Sequence, residues 1–190
     1  MIDWILFYGE WLHLPKADFR ILTMLGANHG SYSGTLTDMC GYLNETAQSK
    51  NRKRIKKSIL SLANGGYLRS EIKGHTYSLQ VIPKDTKIKV MAEFVESVMR
   101  HDYSTESVAP ENVLKMYLWT CYNNEQLTTN AIISENLDIS ESTICAAKNV
   151  LEKEYDNLYR KRVSEKVNEN FFIYKGQFLQ PNILWTQPPN

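Results

Sequence analysis

The most chemically distinctive stretch of the sequence is residues 50–57, where six of the eight side chains are Lys or Arg. Lysine and arginine neutralise phosphate groups, and the counterions released on binding make such an interaction strongly dependent on salt. The neighbouring Gln48, Ser49 and Asn51 have side chains that can hydrogen bond to base edges. A solvated helix normally mixes acidic and basic residues at i,i+4 spacing, whereas this stretch contains no acidic residue. The pattern favours a nucleic-acid-binding surface over a merely solvated helix face.

The charge of the chain is unevenly distributed, although the formal net charge is only +1. Residues 1–90 contain 13 Lys/Arg against 7 Asp/Glu, a balance of +6. The remaining residues contain 9 Lys/Arg against 14 Asp/Glu, a balance of −5. A cationic first half is expected if that half carries a nucleic-acid-binding surface.

Several classes of protein are disfavoured by what the sequence lacks. No stretch approaches the roughly 18 apolar residues that span a membrane, so we expect no membrane association and a cytoplasmic location. The three cysteines are far apart and show no metal-ligand spacing with the four histidines. No phosphate-binding glycine loop or partnered nucleophile is visible. We therefore expect no enzymatic activity, no metal and no cofactor.

The segment around the cationic run has the periodicity of three helices followed by a hairpin. Apolar spacing predicts a first helix over residues 16–27, a short second helix over 36–43 and a third helix that starts between 46 and 50. Residues 31–34 are interpreted as a turn between the first two helices. The third helix is expected to end at Asn64-Gly65, and residues 67–81 to form a hairpin around Lys73-Gly74. With Ile55 pointing inward, Lys50, Lys53 and Lys57 fall on the opposite side of the third helix.

This segment resembles the winged helix-turn-helix family. The resemblance rests on the stretch from Leu36 to Leu43, on the spacing of Ile55, Ile59 and Leu62, and on the Gly66-Tyr67-Leu68 that follows. In the form seen here, with Leu14-Pro15-Lys16 opening the first helix, it is similar to domains of plasmid and phage replication proteins and of bacterial regulators. The resemblance implies that the third helix enters the DNA major groove and that the hairpin tip, Lys73, Gly74 and His75, reaches a neighbouring backbone or minor groove.

The rest of the chain predicts a linker and a second unit of the same kind. An amphipathic helix over residues 87–101 would bridge two domains or pair with its copy in a homodimer, or it would only pack as core between the domains. From Pro110 the same order of elements returns, with Ser140 as the N-cap of a long helix whose inward residues are Ile144, Ala147, Leu151 and Tyr155. The expected fold is therefore mainly α with small β-hairpins (α+β), with tandem winged-helix domains at 1–83 and 110–190 and a linker helix and loop at 84–109.

The function expected from these features is sequence-specific binding of double-stranded DNA, as a bacterial, phage or plasmid-encoded transcriptional regulator or replication initiator. The candidate DNA-binding residues are Gln48, Ser49, Lys50, Asn51, Arg52, Lys53, Arg54, Lys56, Lys57, Lys73 and His75, together with the basic second hairpin, Arg160, Lys161, Arg162 and Lys166.

The sequence is compatible with further alternatives for the second unit, for the partner and for the nucleic acid. The second unit has an acidic third helix, so it either touches DNA through its hairpin or makes protein contacts, including dimerisation. A winged helix can also serve as a protein-interaction scaffold without reading DNA, because a fold does not fix a function. Single-stranded nucleic acid is the least favoured ligand, since the aromatic residues fall mostly at core positions.

Overall fold

The computed structural model describes residues 3–123 and 128–155 together with the backbone of residues 127, 158–162 and 172–176. The chain divides into two compact units. The first comprises Met1–Trp11 and Pro15–Ala92, and the second comprises Leu12–Leu14 and Glu93–Asn190. None of the described helices is long and apolar enough to cross a membrane.

From residue 3 onward the first unit is built from three α-helices, a short 3-10 helix (Gly9–Trp11), a three-stranded antiparallel sheet and a two-stranded antiparallel sheet. The larger sheet has the order β2-β4-β3, and the smaller sheet pairs β1 with β5. The elements in chain order are β1 (Trp4–Tyr8), α1 (Lys16–Ala27), β2 (Ser31–Thr35), α2 (Leu36–Tyr42), α3 (Ser49–Asn64), β3 (Leu68–Lys73), β4 (Thr76–Val81) and β5 (Lys87–Met91).

The helices of the first unit match the sequence predictions because their apolar residues recur on one face. Helix α1 occupies the predicted residues and packs against α3. Ile55, Ile59 and Leu62 of α3 are buried at 1–2% exposure, as their spacing predicted. Helix α3 stops at Gly65, and the following Gly66 has a φ of +70°, which a residue with a side chain rarely adopts.

The interpretation of residues 31–34 as a turn was wrong, because they belong to strand β2. Tyr32 is buried between the exposed Ser31 and Ser33, so the segment has the alternating burial of a strand. Strand β2 pairs antiparallel with β4, with Tyr32 opposite Leu79. The strand could not be recognised from its small polar residues, which are typical of turns. Its backbone is held by pairing with a strand that lies far away in sequence.

The linker helix predicted over residues 87–101 was wrong for its first five residues. They form β5, where Ile88 and Val90 are buried and Lys87 and Lys89 are exposed. This alternation has a period of two, and β5 pairs antiparallel with β1, so it completes the first unit. The helical part, α4 (Ala92–Arg100), begins directly afterwards, with Phe94, Val95 and Val98 buried.

From α5 onward, the described elements of the second unit repeat the order of α1 to β4 in the first. After α4 its described elements are α5 (Pro110–Tyr122), β6 (Leu127–Thr128), α6 (Asn130–Leu137), α7 (Glu141–Lys153), β7 (Leu158–Arg162) and β8 (Phe172–Gly176). Its sheet has the order β6-β8-β7, which corresponds to β2-β4-β3 in the first unit. The side chain of Ser140 accepts a hydrogen bond from the Thr143 backbone N–H and caps α7, which confirms the predicted N-cap.

Candidate nucleic-acid interface

The cationic run lies on helix α3, and its six Lys and Arg side chains are exposed while Ile55 is buried. The helix begins at Ser49, with Gln48 in the N-cap position, so the whole run falls within its first three turns. No acidic residue occurs in α3. The apolar contacts of Ile55 and Ile59 fix the rotation of the helix and thereby hold the cationic side chains in solvent.

A groove of about 460 Å³ separates α3 from the β3–β4 hairpin and the start of α2. Four α3 residues line it, namely Ser49, Arg52, Lys53 and Lys56. Their spacing of i, i+3, i+4 and i+7 places them along one face of the helix. The other lining residues are Thr35, Leu36, Thr37, Gly74, His75 and Tyr77.

The hairpin contributes its tip to this groove. Gly74 has a φ of +61°, which suits the tight turn between β3 and β4. The turn brings His75 into the groove, where the described lining residues include three cationic side chains and no acidic one. The predicted tip residue Lys73 does not line the groove; its Nζ lies 3.0 Å from Glu71 Oε1, and both side chains are largely exposed. Such an exposed pair stabilises the hairpin only slightly.

Helix α2 is held at the edge of the groove by a reciprocal cap at its first turn. The Thr35 hydroxyl accepts a hydrogen bond from the Asp38 backbone N–H, while the Thr35 backbone N–H donates to the Asp38 carboxylate at 2.8 Å. The Thr35 backbone N–H, followed by its hydroxyl, lowers the pKa of the Asp38 carboxyl. Thr35 and Thr37 thus add two hydroxyl-bearing residues to the lining of the groove.

The turn between α2 and α3 is held by Glu45, whose side chain is only 11% exposed. Glu45 Oε1 lies 2.9 Å from Nη1 of Arg20 on α1, and Glu45 Oε2 accepts a hydrogen bond from Nη2 of Arg54 on α3. Arg20 also donates to the Leu43 carbonyl oxygen at 2.5 Å. A single carboxylate therefore joins the first helix, the turn and the cationic helix.

The candidate base-reading residues beside this turn differ in their surroundings. Asn51 Nδ2 donates to the Thr46 carbonyl oxygen at 2.9 Å, which ties Asn51 to the turn. Gln48 and Lys50 are exposed, and the Gln48 side chain makes no capping hydrogen bond. Lys50 and Lys57 lie outside the groove lining, on the solvent side of α3. Gln48, Lys50 and Lys57 are thus accessible to a ligand laid along the outside of the helix.

None of the helices described in the second unit carries a comparable run of cations. Lys148 of α7 is 1% exposed, and its Nζ donates to Asn130 Oδ1 at 3.0 Å. The exposed positions of α7 include Glu141 and Asn149. Of the predicted hairpin residues, Arg160, Lys161 and Arg162 lie in strand β7, of which only the backbone is described, and Lys166 lies outside the described residues.

Two parts of the site were missed from the sequence. Thr35 and Thr37 line the groove, and the Thr35-Leu36-Thr37-Asp38 pattern of a capped helix start could have placed them beside α3. Glu45 was missed as well, although it is the only acidic residue between Asp38 and Glu71. An isolated acid just before a cationic helix is a signal for an ion pair.

Comparisons with models of known protein families, with curated protein sequences and with solved structures found no match for this chain. Among the described residues, no group of three or more His, Cys, Asp or Glu side chains is arranged to hold a metal ion.

Proposed function

We propose that this chain is a double-stranded DNA-binding protein that contacts the duplex with helix α3 and the β3–β4 hairpin. The observation that carries the proposal is the groove in which Arg52, Lys53 and Lys56 of α3 come together with His75 of the hairpin tip. Lysine, arginine and histidine side chains on two convergent elements are suited to hold phosphates of one backbone strand. The exposed cations on the outside of α3 extend the same positive surface.

The fold of both units supports a tandem winged-helix arrangement. In each unit a helix, a short strand, a second helix, a third helix and a hairpin follow one another, and the strand order of the sheets corresponds. In winged-helix proteins the third helix lies in the major groove and the hairpin lies beside it. A helix about 10–12 Å wide fits the major groove of B-DNA, which is also about 12 Å wide.

The proposed contacts fall into two groups. Arg52 and Lys56 on the groove side would hold the sugar-phosphate backbone and set the register of the protein on DNA. Gln48, Lys50 and Lys57 on the outside of α3 would approach base edges, where a bidentate contact contributes about 1–3 kcal/mol of discrimination. Lys53 belongs to both groups, because it lines the groove and is also exposed on the side of α3 that carries Lys50 and Lys57.

The test is a fluorescence-anisotropy titration of a random-sequence duplex at several salt concentrations. We compare the wild type with Arg52→Gln/Lys56→Gln and with a matched control, Lys87→Gln/Lys89→Gln, which removes two exposed cations from β5. The binding constant falls as salt rises, and each lost phosphate contact reduces the magnitude of the slope of log K against log salt by about 0.9. The groove variant, which lacks two cations, should show a slope whose magnitude is smaller by nearly twice 0.9, and the control should keep the wild-type slope.

Two outcomes would contradict the proposal. If the wild type does not bind the duplex at low salt, DNA is not the ligand of this surface. If the groove variant and the β5 control lose the same slope, the binding is a general effect of net charge and not a property of the groove. Single-stranded DNA of the same length is included, and tighter binding to it would favour the single-strand alternative.

For the second unit, the buried Lys148 and the exposed Glu141 favour a protein contact of α7 over DNA binding. A homodimer through this unit is the simplest form of that contact. Dimerisation predicts inverted half-sites spaced by about one helical turn of DNA, so a selected target sequence would test it together with the mass of the complex. A transcriptional regulator and a plasmid or phage replication initiator share this chemistry, and the position of the selected site in a promoter or an origin distinguishes them.

A further inference from the structure

The carboxylate of Glu45 forms an ion pair with Arg54 of α3, and this separates Arg54 from the cations of α3 that line the groove. Glu45 is 11% exposed and lies between Arg20 and Arg54, with one carboxylate oxygen facing each guanidinium. Its backbone N–H donates to the Cys40 carbonyl oxygen at 2.8 Å, so both its main chain and its side chain are fixed. Low exposure reduces solvent screening and strengthens both ion pairs relative to a surface pair.

The position of Arg54 on the helix separates it from the groove. Successive helix residues are rotated by about 100°, so Arg54 and Lys56 flank the buried Ile55 on opposite sides. Lys56 lines the groove, whereas Arg54 faces the turn that carries Glu45. The Arg54 charge is therefore partly compensated by Glu45 within the protein. Arg52, Lys53 and Lys56 instead line a groove that has no acidic residue among its described lining.

We propose that Arg54 is a positioning residue and not a DNA contact, and that Glu45 withholds it from DNA while fixing the start of α3 against α1. This inference rests on the DNA-binding function proposed above. The α2–α3 turn then has its final conformation before DNA binds, because Arg20 of α1 donates hydrogen bonds to Glu45 and to the Leu43 carbonyl oxygen. Preformed geometry lowers the entropic cost of binding.

The experiment measures the salt slope of duplex binding for Arg54→Gln, Glu45→Gln, the double variant and Lys53→Gln as the contact control. Lys53→Gln should lower the slope by about 0.9, the value for one phosphate contact. Arg54→Gln should leave the slope unchanged and weaken binding by severalfold at every salt concentration. Glu45→Gln should steepen the slope by up to about 0.9, because it frees a cation next to the duplex. The double variant should return to the wild-type slope.

The opposite pattern would overturn the inference. If Arg54→Gln lowers the slope as much as Lys53→Gln does, Arg54 contacts a phosphate directly. If Glu45→Gln leaves the slope unchanged, Glu45 does not withhold a cation. A change in circular dichroism or in the unfolding midpoint identifies a variant that fails to fold, and Glu45→Asp then replaces Glu45→Gln as a shorter carboxylate that should retain the wild-type slope.

If the wild type does not bind duplex DNA, the function fails, and the ion pair is tested by unfolding alone. The midpoints of Arg54→Gln, Glu45→Gln and the double variant then form a double-mutant cycle. If Glu45 and Arg54 are coupled, the stability lost in the double variant should differ from the sum of the stabilities lost in the two single variants. Additive losses of stability would refute the role of Glu45 in holding α3.

Discussion

Lys115 of α5 is a buried cation in the second unit, and it predicts an unusual pH dependence of stability. Its side chain is 1% exposed, and its Nζ donates to the Leu14 carbonyl oxygen at 2.5 Å and to the Leu137 carbonyl oxygen at 3.4 Å. Burial lowers the pKa of Lys115 from 10.5 to about 8, although Asp138 and Glu111 oppose that shift. Folding therefore disfavours the charged ammonium of Lys115.

The sign of the effect follows from proton binding in the two states. Between about pH 8 and pH 10.5 the unfolded chain keeps the Lys115 proton that the folded chain has lost, so the free energy of unfolding rises with pH. A difference of about 2.5 between the two pKa values corresponds to about 3 kcal/mol, because each pKa unit is worth about 1.4 kcal/mol. The penalty is present in full below about pH 8.

We would measure urea unfolding of the wild type and of Lys115→Met from pH 7 to pH 10. Methionine has a similar volume and no charge, so the stability of the wild type relative to the variant should increase by about 2–3 kcal/mol over this range. Burial also raises the pKa of the Cys121 thiol to about 12, which lowers stability at high pH, but this effect is common to both proteins and cancels in the difference. Lys153→Met, at an exposed position of α7, is the control.

A constant difference between wild type and Lys115→Met across pH 7–10 would refute this reasoning. It would mean that Lys115 keeps its ordinary pKa in the folded protein, as it would if water reached its ammonium group. A difference that falls with rising pH would mean that Lys115 is stabilised as a cation by Asp138 and Glu111 more than it is destabilised by burial.

The remaining predictions concern the first unit. Ile59→Ala should lower the free energy of unfolding by about 2–5 kcal/mol, because Ile59 is 1% exposed on the buried face of α3, and denaturant titration checks this. An unchanged unfolding midpoint would show that Ile59 does not pack there. Gly74→Ala should cost about 1–2 kcal/mol, because φ is +61° at Gly74, and should weaken duplex binding in anisotropy if the hairpin tip shares in the contact. Lost stability with unchanged binding would remove the tip from the interface.

The helices of the first unit could be predicted from the sequence because one periodic signal fixed both their existence and their orientation. In α3, the spacing of Ile55, Ile59 and Leu62 determined which residues are buried, and this forced the cations outward. The Gly65-Gly66 pair then marked the end of the helix. Local sequence sufficed here because a helix closes its hydrogen bonds between residues four apart.

The strands β2 and β5 could not be predicted in the same way, because their partners lie far along the chain. Tyr32 of β2 is opposite Leu79, and Val90 of β5 is opposite Ile5. In β5 the apolar residues Val90 and Met91 run directly into the apolar face of α4, so the two periods merged into one apparent helix. The alternation of Lys87, Ile88, Lys89 and Val90 was nevertheless visible in the sequence.

The lysines of the two third helices show why charge composition alone does not locate a binding site. In α3 the buried positions are occupied by Ile, Leu and Ser only, so every cation remains exposed. In α7 one buried position is Lys148, whose Nζ donates a hydrogen bond to Asn130 at the start of α6. A buried lysine needs such a partner because an unpaired charge in the interior is costly. Lys148 therefore contributes to the packing of its own unit, and two units with the same order of elements present different surfaces.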